Sequence, residues 1–107
     1  MPVTPKSEIL DLVALVEYQT GAVVSRQVAK AGGGNVTLFA FDEGQELSEH
    51  TAPFDALAHV LDGEAEIKIS GQLYQLKAGE GIIMPANAPH TLLARKKFKM
   101  LLTMLKS

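Results

Sequence analysis

Apolar and polar residues along this chain alternate in short runs broken by glycine, a pattern that predicts small strands rather than helices. The clearest run is EAEIKI (64–69), where Glu64, Glu66 and Lys68 alternate with Ala65, Ile67 and Ile69, giving one wet and one buried face. Further strands are predicted over AVVSRQVA (22–29), VTLFAF (36–41), LSEHTA (47–52), DALAHVL (55–61), LYQL (73–76), IIMP (82–85), PHTLLA (89–94) and FKMLLTML (98–105). Turn signals separate them at AGGGN (31–35), DEGQ (42–45), Asp62-Gly63, SGQ (70–72) and KAGEG (77–81). Gly63 and Gly79 are each expected to end a strand before the chain reverses, and to tolerate alanine less well than the AGGGN turn. Pro53 marks a break or an edge.

One stretch departs from this pattern. In SEILDLVALVEY (7–18), Ile9, Leu12, Val13 and Val16 recur at helical spacing, with Ser7 as an N-cap and Glu8 in the first turn. A short helix or 3₁₀ turn is predicted there, ended by Gly21. The expected whole is therefore all-β: an antiparallel sandwich or barrel of jelly-roll type with a short N-terminal helical arm over residues 1–21. An α/β architecture is excluded because no strand is followed by a helical crossover.

Composition narrows the picture further. At 107 residues and 47% apolar, the chain is read as a single domain, 1–107. Its mean hydropathy is slightly positive at +0.12, and FKMLLTML is apolar on both faces, so a sheet that meets a second copy in a homodimer is expected. A net charge of −2 and a pI of 5.9 argue against nucleic acid as a partner, and the basic run RKKFK (95–99) reads as a solvated hairpin end. There is no cysteine, which removes disulfides, thiolate metal sites and cysteine nucleophiles together. No apolar stretch reaches membrane-spanning length, and MPVTPKSEIL lacks the plan of a signal peptide, so no membrane association and a cytoplasmic location are expected. The glycines of the AGGGN turn are followed by neither a lysine nor a helix start, so they do not make a phosphate loop.

Candidate chemistry rests on two histidines. His50 follows GQELSE, and His90 closes GEGIIMPANAP, so two imidazoles from distant sequence can meet if the chain closes into a β structure. The residues around them resemble the cupins, a superfamily of small jelly-roll barrels. Its first motif is Gly, five residues, His, one residue, His, three or four residues, Glu, six residues, Gly. Here it reads GQELSEHTAPFDALAHVLDG (44–63): Gly44, His50 and Gly63 match, while Ala52 and Ala56 replace the second His and the Glu. The second motif is Gly, five residues, Pro, one residue, Gly, two residues, His, three residues, Asn. Here it reads GEGIIMPANAPHTLLA (79–94): Gly79, Pro85 and His90 match, while Asn87 and Ala94 depart. The resemblance covers roughly residues 36 to 105.

What the resemblance implies is a conserved barrel over 36–105 with a ligand pocket inside it, and in the family a divalent metal held by the histidines and the Glu of these motifs. The carry-over leaves His50 and His90 as metal ligands for Zn, Fe, Mn or Ni. Alternation supports the pairing, since His50 and Ala52 share one strand face and Ala56, Ala58 and Val60 share one face of the next, which places the alanines where ligands would stand. His59 then points to the other face. Two imidazoles do not complete a zinc or iron site, so a third ligand comes from Asp55, Glu46 or Glu49, from water, or from a carboxylate of the bound molecule. Alternation aims Asp55 away unless Pro53 shifts the register. Met84, Phe39, Phe41, Met100 and Met104 are available to line the cavity.

Two readings of function stand together. In one, a small-molecule-binding cupin holds its ligand at His50 and His90, and a metal-assisted enzyme acting on a small oxygenated compound is one form this could take. In the other, a non-catalytic metabolite-binding or dimeric interaction module has lost the metal site. Serine-triad, thiol and phosphate-loop chemistries have no constellation here.

Overall fold

The computed structural model describes residues 4–106. Eight strands follow in chain order: β1 (Val23–Ala31), β2 (Gly34–Phe41), β3 (Glu46–His50), β4 (Asp55–Ile69), β5 (Gln72–Lys77), β6 (Gly81–Met84), β7 (His90–Leu93) and β8 (Phe98–Leu105). All pairings are antiparallel, and the sheet runs β1-β2-β8-β4-β7-β3, with β5 and β6 also paired to β4. The all-β jelly-roll expectation matches this architecture.

The sheet curls because β4 belongs to two neighbourhoods. Its first part, Asp55 to Gly63, pairs with β8 and β6, while its second part, Glu64 to Ile69, pairs with β5 and β7. Asp62-Gly63 therefore does not separate two strands, as the sequence pattern predicts. It is a bend inside one 15-residue strand, with a register shift between Val60 and Asp62 against β8. Gly63 has φ of 75°, and a Cβ there would overlap the carbonyl oxygen of Lys97, so only glycine lets β8 come this close to the bend.

The two parts of the curled sheet face each other across the core. Phe41, Ala56, Ala58, Val60, Phe98 and Met100 come from the first half and Ala65, Ile67, Leu76 and Leu92 from the second, all buried in one cluster. Phe41 and Phe98 stack with ring centroids 4.5 Å apart, filling the first half beside the bend. Each core residue alternates with an outward neighbour, as the period of a strand requires.

The N-terminal helical arm is not formed. Residues 7–18 contain instead one hydrogen-bonded turn, in which Ala14 and Leu15 N–H donate to Asp11 O at 3.1 Å, and Ser7 has φ of 59°, which an N-cap does not adopt. The reason lies in what the sheet offers. Leu12, Leu15, Val16 and Tyr18 pack on the outer face of the first half, against Leu38, Ala40, Val24, Val28, Leu61 and Leu101, whereas Ile9 and Val13 face solvent. That set is not the one the spacing of Ile9, Leu12, Val13 and Val16 predicts, and one short turn of helix has little stability of its own. The segment is held as a strap: buried Lys99 donates to Val13 O at 2.6 Å, and Tyr18 Oη donates to Asp62 Oδ2 at 2.7 Å. Lys97 and Lys99 also lie 4.8 and 5.0 Å from the Tyr18 ring centroid. Burial, then the Asp62 hydrogen bond and charge, push the Tyr18 phenol well above its ordinary pKa.

Candidate functional site

His50 ends β3 and His90 begins β7, and the two are Cα partners across that strand pair. Leu47 pairs with Leu92 and His50 with His90, three residues on one strand against two on the other. This bulge matters for the site. Plain alternation from inward-packed Leu47 would turn His50 to the opposite face, and the extra residue turns it back beside His90.

The imidazole rings lie in edge-to-face contact, centroids 4.1 Å apart and planes at 66°. His50 Nδ1 donates to Ser48 O at 2.7 Å and His90 Nδ1 donates to Ala88 O at 3.2 Å. Because a carbonyl oxygen only accepts, Nδ1 carries the hydrogen in each ring, and in the neutral rings both Nε2 atoms keep a lone pair. His90 is buried, while His50 is exposed at the strand end. Burial lowers the His90 pKa, its hydrogen bond to Ala88 opposes this, and the charge of His50 lowers it again. The site therefore offers one buried neutral imidazole and one water-facing imidazole.

The other sequence candidates lie as follows. Ala56 and Met84 are both buried and are partners across β4 and β6, and Met100 is buried as the partner of both Phe39 and Val60. Ala56, Met84 and Met100 belong to the interior cluster on which Phe39 and Met104 pack, and Ile69, the β4 partner of His90, is a member of the same cluster. Ala52 lies in the loop after β3, where its carbonyl accepts from Asn87 N–H at 2.7 Å. His59 is half-buried on the outer face, with Gly81 and Leu101 as partners.

The carboxylates considered as a third ligand are placed elsewhere. Asp55 Oδ1 accepts from Ala86 N–H at 2.8 Å, and Glu46 and Glu49 border a groove on the outer face of the second half. Among the described residues no group of three His, Cys, Asp or Glu side chains is placed to hold an ion. Sequence reasoning did not anticipate two grooves of about 400 and 430 Å³ on that outer face, which share Glu66 and Arg95. Arg95 Nε lies 2.8 Å from Glu66 Oε1 between them. The alternation of Glu64, Glu66 and Lys68 was the available signal, and it spoke for a solvated face rather than a groove.

The two departures in the second motif make structural sense. Asn87 has φ of 66°, and asparagine is the non-glycine residue that tolerates this conformation best, so the turn before His90 survives without glycine. Ala94 is fully buried and packs into the core.

Comparison with known proteins agrees with this architecture. A crystal structure of a Streptococcus pyogenes protein of unknown function superposes with a TM-score of 0.91 at 34% identity, covering 100% of this chain and 96% of that one. An uncharacterized protein of Aquifex aeolicus is 32% identical over 89 residues, 81% of this chain and 73% of its own length. A Streptomyces cyaneus protein named polyketide synthase CurC is 28% identical over 61 residues, and the match spans 56% of this chain and only 40% of that relative. Residues 37–105, from β2 to the end of β8, match the family model of the cupin domain. Those residues carry both histidines, the bend at Gly63 and most of the core, and the chain belongs to the cupin domain family.

Proposed function

We propose that this cupin binds a small oxygenated molecule at the Nε2 atoms of His50 and His90, with Ala52, Ala56, Met84, Phe39 and Met100 as the surrounding wall. The observation that carries this reading is the pair itself: two rings in contact, each with Nδ1 committed to a backbone carbonyl, leaving two acceptors unclaimed. His90 is buried, and a ligand oxygen or hydroxyl would give its Nε2 a polar partner.

A divalent ion fits this donor set in its ligand type and tautomer, and falls short in number. His50 and His90 would hold it, and water or the ligand's own oxygens would fill the remaining positions. Such an ion supplies a Lewis acid that polarises a ligand oxygen. The chain's own contribution is to keep His90 neutral and dry and to orient both rings.

The test is elemental analysis of the purified protein, followed by Zn²⁺ titration of the wild type and of His50→Ala. Retention of an ion by the wild type and its loss in the variant support a metal-assisted site, because one imidazole does not hold the ion against water. Metal at background in both, with the variant changing only ligand binding, drops the ion and leaves a metabolite-binding module.

A homodimer is the second part of the proposal. Leu57, Ile83 and Leu105 are exposed on the outer face of the first half, beside the strap, and Leu57 and Ile83 are partners across β4 and β6. A second copy on this face should bury about 1,200 Å² or more in total. Light scattering that finds a monomer at micromolar concentration removes this part.

A further inference from the structure

Among the bonds that hold the loop between β6 and β7, one comes from a side chain on another strand. Asn87 N–H donates to Ala52 O at 2.7 Å, Ala88 N–H to Pro85 O at 3.2 Å, and Pro89 O accepts from Ser70 N–H at 2.8 Å, all through backbone. His90 closes the loop by donating from Nδ1 to Ala88 O. Asp55 Oδ1 adds the remaining bond, accepting from Ala86 N–H at 2.8 Å, four residues before His90. The register explains how it gets there: Ala56 pairs with Met84, so Asp55, pointing outward at the start of β4, stands beside the chain as it leaves β6. A carboxylate accepting a backbone N–H is a stronger bond than a neutral pair. It acts on a loop that holds Asn87 at positive φ, a conformation that surrounding contacts must maintain.

We infer that Asp55 is a positioning residue for the histidine site, its carboxylate fixing the Pro85–Pro89 loop so that His90 stands against His50. The inference rests on the reading that the two imidazoles form the site. It also gives a role to a carboxylate close in sequence to the ligand positions: Asp55 serves the site through the loop rather than through an ion.

The experiment compares wild type, Asp55→Ala and Asp55→Asn. Two readouts are used: the nuclear Overhauser contact between the His50 and His90 ring protons, and Zn²⁺ affinity by calorimetry. Asp55→Ala should lose the ring contact and bind Zn²⁺ about tenfold more weakly, the size seen when an outer-shell partner is removed. Asp55→Asn should keep both, because its amide oxygen still accepts from Ala86. Asp55→Thr, a better strand former without the carboxylate, replaces the alanine variant if that one does not fold. An unchanged ring contact in the alanine or threonine variant overturns the inference, as does its loss in Asp55→Asn. Wild type that shows the ring contact but takes up no Zn²⁺ removes the ion from the proposed function and leaves the Asp55 comparison to be decided by the ring contact alone. Absence of the contact in the wild type removes the paired site and the inference with it.

Discussion

The two halves of β4 present opposite outer faces. In the first half the outward residues are Leu57, half-buried His59 and Leu61, and neighbouring strands add Leu38, Ala40, Leu101 and Ile83. In the second half they are Glu64, Glu66 and Lys68, flanked by Gln75, Lys77 and Thr91, with Leu73 and Leu93 as apolar exceptions. The inner faces are both apolar, so the core alone does not distinguish the halves. The difference teaches that the first half is a sheet layer largely apolar on both sides: the strap covers part of its outer side, and the exposed remainder is the proposed dimer face. The second half meets water directly, and it carries the histidine pair on its inner side at the end of β3.

The largest expected effect breaks the joint between the halves. Gly63→Ala puts a Cβ onto Lys97 O at φ of 75° and should cost about 3 kcal/mol or more, or prevent folding, by urea denaturation. Gly79→Ala has open space around it and positive φ, so about 1 kcal/mol is expected, less than at Gly63. In the AGGGN turn the sites differ: Gly32 has open space, whereas Gly34 lies against Met104 O and should be as sensitive as Gly63. The expectation that this whole turn tolerates alanine better is corrected at Gly34.

Next comes the cover of the first half. Val16→Ala removes a buried contact of the strap and should lower stability by about 1–2 kcal/mol, and Tyr18→Phe, which loses the bond to Asp62, by about 1 kcal/mol. Hydrogen exchange should then rise in residues 12–18 first; equal protection in both variants and wild type would show that the strap contributes nothing. On the second half, Arg95→Ala removes the pair between exposed Arg95 and half-buried Glu66 and should leave stability almost unchanged. A cost as large as that of Val16→Ala would dissolve the contrast between the faces.

The smallest effect is in pH. His90 is buried with a lowered pKa, so the unfolded chain takes up a proton at the ordinary value near 6.5 while the folded chain resists. Stability should therefore be level above that pH and fall as pH drops from 6.5 toward the folded value, with His90→Gln flattening that part of the profile. A slope of the opposite sign in the wild type counts against a neutral, buried His90.

Much of the strand pattern was legible because period-2 alternation survives wherever one face is dry and the other wet, as in Glu64–Ile69. It blurred where both faces are dry. Residues 55–61 and 64–69 read as two strands around Asp62-Gly63, because a glycine bend within a strand and a glycine turn have the same local signature. The helical spacing of Ile9, Leu12, Val13 and Val16 misled for a related reason: the strap is shaped by the curved sheet beneath it, which supplies its hydrogen bonds and buries Val16 but not Ile9.

For the site, sequence alone determined which residue types are available: two histidines in spaced stretches, with alanine rather than a metal-ligating side chain at positions 52 and 56. Alternation and glycine spacing are local consequences of backbone geometry, so they can be read along the chain. Only the tertiary structure decided that the imidazoles touch, since that depends on an extra residue in β3 and on the register of β3 against β7. It also decided that Asp55 turns to Ala86 rather than to the rings, and that both Nδ1 atoms are occupied. The ring contact and the Asp55 bond rest on groups brought together from strands distant in sequence, and no local pattern encodes a distance between them; the Nδ1 bonds span only two residues each, but depend on the backbone shape that this strand pairing imposes.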